Sequence, residues 1–262
     1  MSRQNYYKDH NRRKRKKVDE GLVEKLVEAE RAVQPRLGGR KLYFMLKSEL
    51  ETAGVSIGRY RFFNVLRTNK LLLSPLPKSP RTTNSRHSLP VYRNTIKEIE
   101  LTGPNQVWVS DITYIRTAED FLYLSLITDK YSRKIVGYHL GETLETEECL
   151  RALEMALEKK PANARIIHHS DRGCQYCSHR YVNELKKHGF EISMTEENHC
   201  SENALAERVN GILKQEYWLG SRFRSIEQAC SAVDEAIYLY NVRRPHMALN
   251  YKTPEQVHGC AA

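Results

Sequence analysis

Residues 107–140 constrain the fold more than any other stretch. Three segments rich in β-branched and aromatic residues, 107–115, 121–129 and 134–140, follow one another across short polar breaks at Ala118-Glu119-Asp120 and Tyr131-Ser132-Arg133. Breaks that short join antiparallel neighbours, since a parallel return needs a dozen residues or more. The pattern then alternates. Residues 146–159 place Cys149, Leu150, Leu153, Ala156 and Leu157 at helical spacing, and 164–168 reads as a buried strand pairing in parallel with the first after that crossover. A helix over 179–188, a fifth strand over 190–194, a long helix over 203–219 and another over 228–240 complete the order. The expectation is an α/β domain with a mixed five-stranded sheet and flanking helices.

The chain upstream is of a different kind. Residues 1–17 form a basic arm containing Asn11-Arg12-Arg13-Lys14-Arg15-Lys16-Lys17, expected to stay solvated until it meets phosphate. Residues 18–73 form a small helical domain. Leu22, Val23, Leu26 and Val27 recur at helical spacing, Pro35 and Gly38-Gly39 interrupt, and a second helix runs over 40–51. After the turn at Ala53-Gly54, Ser56 is placed to cap a third, basic helix, which carries Arg59, Arg61 and Arg67 beside Phe62, Phe63, Val65 and Leu66. Helix, turn and basic helix fit a helix-turn-helix that lays its second helix in a DNA major groove. A helical hairpin with surface arginines fits the same pattern. Residues 74–103 begin with a Pro- and Ser-rich run and read as a linker; 104–222 is the α/β core, and 223–262 a helix and tail completing it.

Charge separates these readings. Of a net +10, residues 1–100 contribute 23 Lys/Arg against 10 Asp/Glu, or +13, and the remaining 19 against 22 leave −3. A basic front joined to a near-neutral domain suits a polyanion partner and favours the helix-turn-helix. No apolar run approaches the roughly 20 residues of a membrane span, and the polar, basic start does not read as a secretory signal. A cytoplasmic location is expected, nucleoid-associated when bound to DNA. All six cysteines lie after residue 148. Cys174-x-x-Cys177 has metal-ligand spacing, but zinc would need two more ligands from His179, His199 and Cys200.

The chemistry is carried by acids. Asp111 stands inside the first strand, and Asp171 follows the parallel strand in His168-His169-Ser170-Asp171-Arg172-Gly173. Glu207 lies on the helix over 203–219, in which Asn203, Glu207, Asn210 and Lys214 share one face by spacings of four, three and four. Carboxylates brought together from separate elements suit Mg²⁺, and two such ions can activate both the attacking and the leaving oxygen of a phosphodiester. On that face Glu207 binds metal, while Asn203, Asn210 and Lys214 reach DNA, Lys214 as a point charge on phosphate. Asp129 reads as a turn residue with a structural role. Of His168 and His169, strand alternation sends one inward and one outward.

Thirty-five residues separate Asp171 from Glu207. With Asp111 they resemble the D,D(35)E core of retroviral-type integrases and insertion-sequence transposases, most closely the second-frame transposase protein of the IS3 family, IS150 type. The resemblance rests on Ser2-Arg3-Gln4-Asn5-Tyr6-Tyr7, Trp108-Val109-Ser110-Asp111-Ile112-Thr113-Tyr114, Tyr131-Ser132-Arg133-Lys134-Ile135-Val136-Gly137, His169-Ser170-Asp171-Arg172-Gly173-x-Gln175-Tyr176, Glu202-Asn203-Ala204-x-Ala206-Glu207, Tyr240-Asn241-x-x-Arg244-Pro245-His246 and Thr253-Pro254-Glu255. It implies a ribonuclease-H-like integrase core with Asp111, Asp171 and Glu207 catalytic. It also implies two Mg²⁺ ions per site, replaceable by Mn²⁺, and cleavage at transposon ends followed by strand transfer by a 3′-hydroxyl. The partners it implies are transposon-end and target DNA, further copies of the chain in a homo-multimer, and an upstream helix-turn-helix protein either fused by frameshift or acting with this chain. Cys174, Cys177 and Ser201-Glu202 depart from the family pattern, so Glu202 is not assigned to catalysis. Only His10 and His87 and no Cys occur in the first 100 residues, unlike the zinc domain of retroviral integrases.

Overall fold

The basic run at the N-terminus is helical. In the computed structural model, which describes residues 2–74, 89–196 and 200–259, helix α1 spans Arg3–Val33 without a break, so residue 17 is not a structural boundary. The side chain of Ser2 caps it by accepting from the N–H of Asn5. Lys and Arg are good helix formers, and Asp9 pairs with Arg13 one turn on at 3.0 Å.

The chain separates into two compact units, Met1–Pro77 and Lys78–Ala262. In the first, Val23 and Val27 of α1 meet Leu42, Leu46 and Leu50 of α2 (Gly39–Thr52) and Phe62, Val65 and Leu66 of α3 (Arg59–Thr68). Ser56 does not cap α3; the cap position is Gly58, which has no side-chain bond to offer.

The second unit begins earlier than the expected linker allowed. Residues 75–88 lie outside the described set, but from Leu89 onward the segment belongs to this unit: Leu89, Tyr92, Ile96 and Leu101 pack on its clusters. The sheet has the order β3-β2-β1-β4-β5, built from β1 (Val107–Thr117), β2 (Phe121–Asp129), β3 (Ile135–Gly141), β4 (Ile167–Ser170) and β5 (Glu191–Met194). β1, β2 and β3 are antiparallel neighbours, while β4 pairs β1 and β5 pairs β4 in parallel. A two-residue strand β6 (Arg222–Phe223), too short to show a period, adds a sixth and pairs with the end of β1, across the expected boundary at 222.

Helices cover both faces. On one side α4 (Thr146–Leu157), the single turn α5 (Cys174–Cys177) and α6 (His179–Lys187) bury Cys149, Leu153, Tyr176 and Tyr181 against Trp108, Ile127 and Val136. On the other, α7 (Ala204–Glu216) and α8 (Ile226–Val242) bury Val209, Ile212, Leu213, Val233 and Ile237 against Ile115, Leu124 and Leu126. A short α9 (Pro254–Gly259) ends the described chain. Asp129 has the structural role expected of it. Fully buried, its carboxylate accepts from the N–H groups of Asn105 and Ser132 and from the Ser132 hydroxyl, fixing the β2–β3 turn.

Candidate active site

β1 sends Val107, Val109 and Asp111 to the face covered by α7, where the two valines pack with Ala206. Strand register places the second acid. Val109 pairs with His169 in the parallel ladder; Asp111 lies two residues further along β1, and Asp171 two residues beyond His169, just past the end of β4. Glu207 comes from the first turn of α7 and is exposed. Asp171 turns its chain sharply: its Oδ1 accepts from the N–H of Gly173 at 2.9 Å. A Cβ on Gly173 would stand 3.0 Å from that same oxygen.

The three acids act on one another electrostatically. Desolvation by the surrounding protein and then the charge of Asp171 raise the pKa of Asp111 from 3.8 to about 7. Hydrogen bonds from Asn210 and from the N–H of Ile112 oppose the rise, and Glu207 adds to it. Three hard oxygen donors carrying mutually repelling charge form the donor set that Mg²⁺ prefers. As arranged, they do not close into a ligand cluster: among the described residues no group of three or more His, Cys, Asp or Glu is positioned to hold a metal ion.

Asn203 and Asn210 require correction. They do share a face with Glu207, but that face packs on β1, leaving them 4% and 6% exposed. Nδ2 of Asn203 donates to the carbonyl of Ser110 at 3.0 Å, and Nδ2 of Asn210 to Oδ2 of Asp111 at 2.7 Å. Both side chains hold the strand that carries Asp111 and are not available to DNA. Lys214, one turn further, is partly buried; desolvation lowers its pKa, Asp111 opposes this and Arg116 adds to it.

The expectation that one of the two histidines points outward fails for a physical reason. His168 and His169 are both buried, because helices and loops cover both faces of β4. His168 Nε2 lies 2.7 Å from Ser110 Oγ and 3.0 Å from the Tyr181 hydroxyl, and His169 Nδ1 lies 2.9 Å from Ser193 Oγ. Desolvation leads in pushing them down to about 3 and about 4, so both are neutral supports. Cys177 is buried against the sulfur of Met194, with its thiol pushed up to about 11 chiefly by desolvation, an environment that suits packing. In the first unit Arg59 is exposed, Arg61 lies 3.6 Å from Asp19, and Arg67 donates to Oδ1 of Asn64 at 2.8 Å.

The integrase core domain family matches residues 102–200, and a second family of that description matches 188–254. A 31 kDa protein of insertion element IS600 from Shigella sonnei is 37% identical over 270 residues, spanning 100% of this chain and 98% of the relative. The InsF transposase of insertion sequence IS3A from Escherichia coli K12 is 34% identical over 213 residues, covering 80% of this chain and 74% of the relative. The chain belongs to the IS3 family of transposases. As a member it is a DDE-type polynucleotidyl transferase of DNA transposition and integration. The ribonuclease-H-like fold of the transposase agrees with solved structures. A simian T-cell lymphotropic virus intasome, determined in complex with the PP2A regulatory subunit B56 gamma, contains a chain that matches with a TM-score of 0.53 at 19% identity, over 84% of this chain and 74% of that one. Among the described residues no helix is long and apolar enough to cross a membrane.

Proposed function

We propose that Asp111, Asp171 and Glu207 are the catalytic carboxylates, that they hold Mg²⁺ or Mn²⁺, and that the enzyme cleaves at transposon ends and joins them to target DNA. The observation that carries this reading is the raised pKa of Asp111, caused in part by Asp171 and Glu207: acids from three separate elements lie within electrostatic reach of Asp111. Divalent cations bound there supply charge neutralisation at the reacting phosphate and activation of the attacking oxygen.

The remaining work falls to the chain itself. Asp111 on β1 and Asp171 just past the end of the neighbouring β4 form one side of the site, and Glu207 comes to it from α7. Asn210 fixes the orientation of Asp111 through Oδ2. Lys214 offers a partly desolvated cation on α7 that feels the charge of Asp111, and it draws the scissile phosphate toward the acids. In strand transfer the 3′-hydroxyl oxygen forms a bond to the target phosphorus, the bond from that phosphorus to its former 3′-oxygen breaks, and that oxygen leaves as a new 3′-hydroxyl. Arg59, Arg61 and Arg67 contact DNA from α3; the surface pairings of Arg61 and Arg67 are weak enough to be exchanged for phosphate. The protein works in the bacterial cytoplasm as a multimer on its DNA. A frameshift product fused to an upstream helix-turn-helix protein is the form in which the family resemblance implies it acts.

The test is an assay of labelled transposon-end DNA with Mg²⁺, comparing wild type with Asp171→Asn and Glu207→Gln. Joined products from wild type and none from either variant support the assignment. Nicking without joining would reduce the protein to a nuclease, and equal joining by all three would remove these carboxylates from catalysis.

A further inference from the structure

Glu202, which the family pattern left without a role, ties the approach to α7 to the distant segment 94–97 and to the end of the loop before it at Glu196. Its Oε2 accepts from Nδ2 of Asn94 at 2.7 Å and from the N–H of Glu196 at 2.7 Å. Its Oε1 meets the ammonium of Lys97 at 2.8 Å, and the same ammonium reaches Oε2 of Glu196 at 2.9 Å. Beside them the N–H of Thr95 donates to Ser193 Oγ at 3.0 Å, so segment 94–97 is also stitched to β5.

The next residue is fastened elsewhere: Asn203 donates to the carbonyl of Ser110, immediately before Asp111. Two consecutive residues at the start of α7 therefore anchor it, one to the strand of Asp111 and one to segment 94–97. Desolvation works against ionisation of Glu202, yet Lys97, the N–H of Glu196 and Asn94 together hold it down at about 2. Both carboxylate oxygens are already occupied by donors, which leaves this acid poorly suited to be a fourth metal ligand.

We propose that Glu202 is a positioning residue: clamped by Asn94, Lys97 and the Glu196 N–H, it sets where α7 begins and hence where Glu207 stands relative to Asp111 and Asp171. The inference rests on reading Glu207 as a catalytic carboxylate. Glu202 sits in the single 3-10 turn Cys200–Asn203, which runs directly into the first turn of α7, so a displacement of Glu202 is passed on to Glu207 five residues later. A misplacement of about 1 Å is enough to lower a rate by about 100-fold.

The test uses the full chain as wild type, Glu202→Ala, Lys97→Met and the double variant. Four quantities are read: joining rate at saturating transposon-end DNA with Mg²⁺, DNA affinity, melting temperature, and amide hydrogen exchange over 200–207. Glu202→Ala should slow joining by about 10- to 100-fold, leave DNA affinity within about twofold and speed exchange across the start of α7. Lys97→Met should act in the same direction but less, because Asn94 and the Glu196 N–H remain, and it should add almost nothing to Glu202→Ala. Additive rate losses, or unchanged exchange over 200–207, would overturn the proposal; so would a rate loss explained wholly by weaker DNA binding or by a lower melting temperature. Exchange needs no activity. A wild type that joins no DNA would count against the functional reading alone, and the clamp would still be judged by exchange in the variants.

Discussion

Replacing Asp111 with Asn should stabilise the metal-free protein at alkaline pH while abolishing joining. The carboxyl sits at about 7 in the folded protein against 3.8 for an unperturbed Asp. Between those values the folded state holds a proton that the unfolded state has released, so the contribution of Asp111 to stability falls as pH rises and is least favourable above 7. From about pH 5.5 to 7 the change spans about 1.5 pH units, or about 2 kcal/mol at about 1.36 kcal/mol per unit. For a unit of this size that is about 4–8 °C in melting temperature. The assay is a thermal melt of wild type and Asp111→Asn in a chelating buffer at about pH 5.5 and about pH 8.5, monitoring the second unit. The advantage of the Asn variant should grow by that amount between the two pH values, since other titrating groups are common to both proteins and cancel. Adding Mg²⁺ at the higher pH should raise the wild-type melting temperature and leave the variant nearly unmoved. An equal difference at both pH values, or a variant that loses ground as pH rises, would show that Asp111 carries no such strain and would refute the electrostatic reasoning.

Geometry elsewhere in the chain sets three further outcomes. Arg244, 2% exposed, pairs through two nitrogens with Glu216 at 2.8 Å each and reaches His246 at 2.9 Å; Arg244→Ala takes both of these charge-assisted bonds from a mostly buried carboxylate and should destabilise the second unit by about 3–5 kcal/mol in a denaturant melt. Two glycines should respond with opposite signs: a Cβ on Gly137 would fall 2.2 Å from the Ala152 carbonyl oxygen, whereas nothing lies within 4 Å of one on Gly211 in α7. Gly137→Ala should cost about 3 kcal/mol or more, and Gly211→Ala should gain about 0.5–1 kcal/mol in the same melt. Arg59→Ala should weaken DNA binding and reduce the slope of log affinity against log salt by about one, and an unchanged slope would take Arg59 off the DNA.

The anchored start of α7 shows where reading a chain residue by residue stops. Helical spacing correctly put Asn203, Glu207, Asn210 and Lys214 on one face, but spacing says nothing about what that face meets. It meets β1, so two residues assigned to DNA are structural amides. Asn94 and Glu202 are 108 positions apart, and nothing local to Asn94, in what reads as linker, marks it as a partner. The histidine pair failed similarly: alternation states that neighbours point to opposite faces, and only the packing of helices and loops on both faces makes both buried.

By itself the sequence determined what is local and periodic. The three strands separated by short turns, the crossover after them, the turn-forming Asp129 and the placing of Asp111 within a strand, Asp171 after one and Glu207 on a helix are all set by side-chain type and spacing, because hydrogen-bonding period and chain reach are short-range properties. The continuous helix α1 and the short β6 lay beyond that reach, the first because a dense run of like charge argues against the helix its residues favour, the second because two residues carry no period. The tertiary structure alone decided which side chains share an environment. The raised pKa of Asp111, the neutrality of His168 and His169, and the fastening of Glu202 to Asn94 and Lys97 arise from desolvation and from charges that are far apart along the chain and close only after it folds.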